Sequence, residues 1–129
     1  MPVYGYSEDL WNRAKEEARA VLTRVAATRG TVAYSDLATQ IRCISFLPTD
    51  QRFFFLLREI SSDEHRAGRG MLTAVVVHKA GDYKPGPGFF ELAQKLGLDA
   101  SDVDRLWIDQ LNKVYDFWSK EGPAQQGGV

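Results

Sequence analysis

Along this chain, stretches in which apolar residues return every three or four positions alternate with short segments rich in Gly, Pro, Ser and Thr. The first such stretch places Trp11, Ala14, Ala18, Val21, Leu22 and Val25 on one stripe with charges between them, the period of an amphipathic helix. Ser7 stands before it as N-cap, Glu8 and Asp9 complement the helix dipole, and Gly30 offers the stop. Thr31 to Tyr34 is long enough only for an extended segment. Ser35 predicts the cap of a short second helix, Asp36 to about Arg42, with Leu37, Ala38 and Ile41 inward. The apolar stretch Cys43 to Leu47 lies between elements and is expected to pack under a loop. Thr49 reads as the cap of a long third helix, Asp50 to about Arg66, whose inner face is Phe53, Leu56, Leu57 and Ile60. Phe54 and Phe55 fall off that stripe, so this helix is either buried on two sides or offers a contact surface.

Gly68-Arg69-Gly70 breaks the third helix. The uninterrupted apolar run Met71 to Val77 predicts a strand covered on both faces. Thr31 to Tyr34 and a return segment around Asp82 to Lys84 are its candidate partners, with a hairpin turn expected at Gly81-Asp82. Pro87 suits the first turn of a fourth helix that carries Phe89, Phe90, Leu92, Ala93 and Leu96 and ends at Gly97. Ser101 predicts the cap of a fifth, on which Val103, Trp107, Leu111, Val114 and Trp118 recur at helical spacing. Residues 121–129 have no apolar face and are expected to be a disordered tail. The pattern predicts one α+β domain over residues 1–120, mostly helical. Its centre is winged-helix-like, with a small β-sheet and a C-terminal helix packed across it.

Composition narrows the function classes. The 129 residues are 44% hydrophobic and 26% charged with a net charge of −1, which lacks the bulk electrostatics of a polybasic nucleic-acid binder. The single cysteine, Cys43, leaves neither an internal disulfide nor a Cys-rich zinc framework; it reads as a buried structural thiol. No apolar run reaches the roughly 18 residues of a membrane span, so the expected compartment is the cytoplasm, with no membrane partner and no cofactor. Charge is unevenly placed. Residues 29–84 hold eight basic against six acidic groups, whereas 85–129 hold four against seven. The cations of the middle segment include Arg42, Arg52, Lys79 and Lys84.

The order helix, short strand, short helix, long helix, ribbon is that of a winged helix, in which a helix-turn-helix enters the major groove. Val32, Tyr34, Asp36, Leu37 and Ala38 form a V-x-Y-x-D-L-A run. It resembles the helix-turn-helix segment of the alkylguanine alkyltransferase-like domains. The Pro-Cys-His-Arg acceptor motif of that family is missing and Met71 to Val77 holds no cysteine, so alkyl transfer is not implied. The runs Gly68 to Val77 and Pro85 to Ala93 are also similar to a group of small bacterial proteins that carries no assigned activity.

The leading expectation is a non-enzymatic binding module, a small DNA-binding regulator or accessory factor touching duplex DNA through Ser35, Arg42, Arg52, Lys79 and Lys84. The alternative reading of those charges is a solvated mixed surface. A protein–protein adaptor, or self-association, is the second expectation, drawn from the surplus of aromatic residues. A metal-dependent nuclease is the third: Asp82-Tyr83-Lys84 has the Asp-x-Lys form of such sites, with Glu59, Glu64 or Glu91 as further carboxylates. His65 and His78 lack metal-ligand spacing and read as surface histidines. Gly86 and Gly88, flanked by prolines, read as a stiff turn that aims Phe89 and Phe90 into the core.

Overall fold

The computed structural model describes residues 3–79 and 84–121. Ser7 caps the first helix, α1 (Glu8–Ala27), its hydroxyl accepting the Leu10 N–H at 3.1 Å. The helix closes one residue earlier than Gly30: Arg29 takes the left-handed conformation at φ 55°. Arg29 N–H then bonds to Ala26 O and Gly30 N–H to Val25 O, the paired bonds of a Schellman end. A non-glycine residue here carries strain. Its exposed side chain forms an ion pair with Asp116 at 2.9 Å.

The extended pair Val32–Ala33 (β1) leads directly into α2 (Tyr34–Gln40). Ser35 therefore lies inside the helix rather than at its cap, which is Ala33 and has no side-chain hydrogen bond. A ten-residue connection, 41–50, leads to α3 (Gln51–Arg66). Its cap is Asp50 instead of Thr49, because the Asp50 carboxylate accepts from Arg52 N and holds the Arg52 guanidinium as well. Phe53, Leu56, Leu57 and Ile60 are buried as the spacing predicts. Gly68, at φ 80°, provides the left-handed stop.

Met71 to Val77 is buried throughout, yet most of it is not a strand. Leu72–Val75 forms a 3₁₀ turn, and only Val76–Val77 (β2) is extended, pairing in parallel with β1. At three residues per turn, side chains at i and i+3 eclipse. Leu72 and Val75 thus join the larger core with Trp11, Leu22, Leu37 and Phe53, while Met71 and Ala74 join a second core with Phe89, Leu92 and Leu106. The backbone groups that a strand would satisfy by a ladder are answered by side chains. Met71 N donates to Gln110 Oε1 at 2.9 Å, Thr73 N to Ser61 Oγ at 3.0 Å, and Ala74 O accepts from Trp107 Nε1 at 2.9 Å. The Ser61 and Thr73 hydroxyls also hydrogen-bond each other.

Pro87 opens α4 (Pro87–Lys95) at its first position, and Gly97 ends it at φ 86°. α5 (Val103–Glu121) is capped by Asp102, whose carboxylate accepts from Arg105 N at 3.1 Å, rather than by Ser101. Its buried side chains are Leu106, Gln110 and Val114; Val103 is exposed. Of the predicted stripe, Val114 is buried and Trp107, Leu111 and Trp118 pack partly buried against the two cores. Leu106 and the inward Gln110, which reaches Met71 N, rotate the centre of the buried face away from Val103. The fold is mostly helical α+β with a two-stranded parallel sheet. No described helix is long and apolar enough to cross a membrane. The expected Gly81-Asp82 turn and the tail from 122 onward lie outside the described residues.

Candidate functional site: an aromatic cleft between α2, α3 and α4

Two stripes run along α3. The one at Phe53, Leu56, Leu57 and Ile60 fills the core. The other, Gln51, Phe54, Phe55 and Arg58, repeats at i, i+3, i+4 and i+7 and faces a cavity of about 340 Å³. Its remaining walls come from Tyr34 of α2, Leu57 of α3, Thr73 of the 3₁₀ turn, His78 after β2, and Gly86 to Phe89 with Glu91 and Leu92 around the start of α4.

β1 and β2 bring the first of these walls together. Their register sets Ala33 beside Val77, so the next residues, Tyr34 and His78, emerge side by side with ring centroids 4.7 Å apart. Phe54 meets Tyr34 edge-on at 6.1 Å. Tyr34 Oη accepts the Gly86 N–H at 2.9 Å, tying α2 to the loop before α4. Burial pushes the Tyr34 phenol up, against the lowering effect of the Gly86 bond, so the hydroxyl keeps its proton at neutral pH. Gly86 makes a close approach here: a Cβ on it would stand 2.9 Å from His78 Nε2 and would make that exposed ring shift. Thr73 adds a buried hydroxyl to the wall, and Arg58 and Glu91 supply one charge of each sign.

The residues expected to contact DNA scatter in their roles. Ser35 and Lys79 are exposed and follow β1 and β2 out of the same end of the parallel pair. Arg42 is exposed, its backbone N–H fixed to Glu17 Oε1 at 2.7 Å. Arg52 is not a free cation: it forms an ion pair with Asp50 at 2.9 Å and its guanidinium lies 5.0 Å from the Tyr6 ring centre. Lys84 Nζ likewise sits 2.5 Å from Asp104.

Of the Asp-x-Lys pair, Asp82 lies outside the described residues. The proposed companion carboxylates point to separate tasks. Glu59 accepts from Trp11 Nε1 at 3.0 Å, Glu64 is buried between two arginines, and Glu91 lines the cleft. Among the described residues, no three His, Cys, Asp or Glu side chains come together to hold a metal ion. Burial and the neighbouring Glu17 charge push the Cys43 thiol up, the setting of an inert thiol.

No family model, curated protein or solved structure matches this chain. The cleft is therefore read from its own geometry. Sequence reasoning singled out Phe54 and Phe55 as lying off the core stripe but did not extend that second stripe to Gln51 and Arg58, although the helical period carries it there.

Proposed function

We propose that this protein is a non-enzymatic binding module whose recognition element is the aromatic cleft. The observation that carries the reading is the cavity itself. Its volume of about 340 Å³ falls within the roughly 300–1,000 Å³ of small-molecule sites, which are lined mainly by apolar and aromatic groups with a few polar ones. Tyr34, Phe54, His78 and Phe89 supply the rings, and Arg58, Glu91 and Gln51 supply directional contacts. An NMR titration of the labelled protein with aromatic fragments tests this. The expected result is shifts confined to Tyr34, Phe54, His78 and their neighbours, weakened by Phe54→Ala. Fragments that leave these resonances unmoved at millimolar concentration would sink the reading.

A second reading is a small winged-helix-like DNA contact, favoured by the common exit of Ser35 and Lys79 from the sheet and by the exposed Arg42. Arg52 and Lys84 already have carboxylate partners, so this reading now rests on Arg42 and Lys79. Each phosphate contact contributes a slope of about −0.9 in log K against log salt. Anisotropy with fluorescent duplex DNA should then give a shallow slope. Arg42→Glu and Lys79→Glu should abolish binding, whereas Arg52→Glu should change it little. No binding at low salt ends this reading.

A further inference from the structure

Three arginines among the described residues are partly buried: Arg19, Arg58 and Arg69. Two of them close on Glu64, each at 2.6 Å. Arg58 makes no ion pair among the described residues and stacks on no ring there. The other unpaired arginines, Arg13, Arg24 and Arg42, are exposed, where water solvates the charge. Arg58 is partly buried with no carboxylate bound to it among the described residues, so its guanidinium keeps donors to offer a ligand.

Its position says what the partner is. Arg58 lines the aromatic cleft and also a shallower polar groove of about 470 Å³, and Phe55 and Leu92 are the other two residues common to both. The charge therefore stands where the cleft, walled also by Tyr34, Phe54 and His78, meets that groove, whose lining includes the carboxylates Glu59 and Asp63. A guanidinium presents a planar fork of donors that matches a carboxylate or phosphate with two parallel bonds. Flat rings accept another ring face-to-face or edge-on. Glu91, on the α4 side of the same cavity, puts one negative charge in the lining and opposes an anion placed beside it.

We propose that the cleft binds a planar aromatic ring bearing an oxyanion, the ring lying against Tyr34, Phe54 and His78 and the oxyanion on Arg58. The proposal rests on the cleft being a ligand site, and the test separates the two. The full chain is titrated by NMR with 1-naphthoate, 1-naphthyl phosphate and the neutral 1-naphthamide, and the series is repeated with Arg58→Gln. The expected result is that at least one anion shifts Tyr34, Phe54 and Arg58 and binds about tenfold or more tightly than the amide. Which anion leads then identifies a carboxylate or a phosphate source. Arg58→Gln should erase the preference while the spectrum stays dispersed, and Glu91→Gln should tighten the anions. If the amide binds as tightly as both anions, the oxyanion proposal is overturned and the ring site stands. If none of the three compounds moves a cleft resonance, both fall. The comparison of anion with amide on the unaltered chain decides the matter even if the Arg58 variant fails to fold.

Discussion

α3 carries one buried and one half-buried charge six positions apart, and the chain treats them in opposite ways. Glu64 is 1% exposed and is gripped by Arg69 and Arg19. Burial works against its carboxylate, but the hydrogen bonds and charge of the two arginines outweigh it and hold the group below the usual glutamate range. Arg58 is half-buried and is given no ion pair among the described residues. Glu64 is answered from within, as are Met71 N by Gln110 and Thr73 N by Ser61. A polar group answered by its own chain serves the fold. Arg58 faces a cavity instead, and the ligand proposed above is its assigned partner.

This contrast is open to breaking from both sides. Glu64→Ala should cost the most, about 3 kcal/mol in urea unfolding. That is the lower end of the 3–5 kcal/mol for breaking a buried pair, because both arginines keep access to water. A loss below about 1 kcal/mol would show that the clamp is not holding the fold. Gln110→Leu comes next, at about 1–3 kcal/mol, since it orphans the buried Met71 N–H. Ser61→Ala should fall in the same range, and adding Thr73→Val should not double the loss, because the two hydroxyls are already coupled.

The pH profile sharpens the same point. Glu64 has a folded pKa below its unfolded one, so its contribution is complete above about pH 4.3 and is lost as pH falls through the folded value. Glu64→Gln should flatten part of the acid limb of the stability curve while leaving the region above pH 6 without slope changes. Arg58→Gln is the smallest expected effect, within about 0.5 kcal/mol of the parent. A large loss there would mean that Arg58 is structural after all.

The difference between these two charges was only partly legible in the sequence. The helices of the chain, the Ser7 cap and the stops at Gly68 and Gly97 follow from local chemistry that depends on neighbours within a turn. Met71 to Val77 misled because an unbroken apolar run has no period: strand and 3₁₀ turn bury it equally well. What decides is which side chains reach its backbone, and Ser61, Trp107 and Gln110 come from distant elements. Gln110 also explains the rotation of α5, since a glutamine on a helix ordinarily reads as outward. In the sequence Arg58 is one of the eight basic residues of 29–84 and nothing sets it apart. Its having no ion pair among the described residues is a property of three-dimensional neighbours, which no spacing rule encodes. The DNA-contact residues were chosen by sign of charge alone, and that could not reveal that Arg52 and Lys84 are already matched to Asp50 and Asp104.

The 3₁₀ turn has one more consequence. The side chains of the turn and of Met71 just before it divide between two cores, Leu72 and Val75 to one, Met71 and Ala74 to the other. Rotating or extending these residues would disturb both cores at once, and Leu111 of α5 packs against both as well. Amide exchange from the core positions of α1 and of α4 should therefore pass through one shared opening.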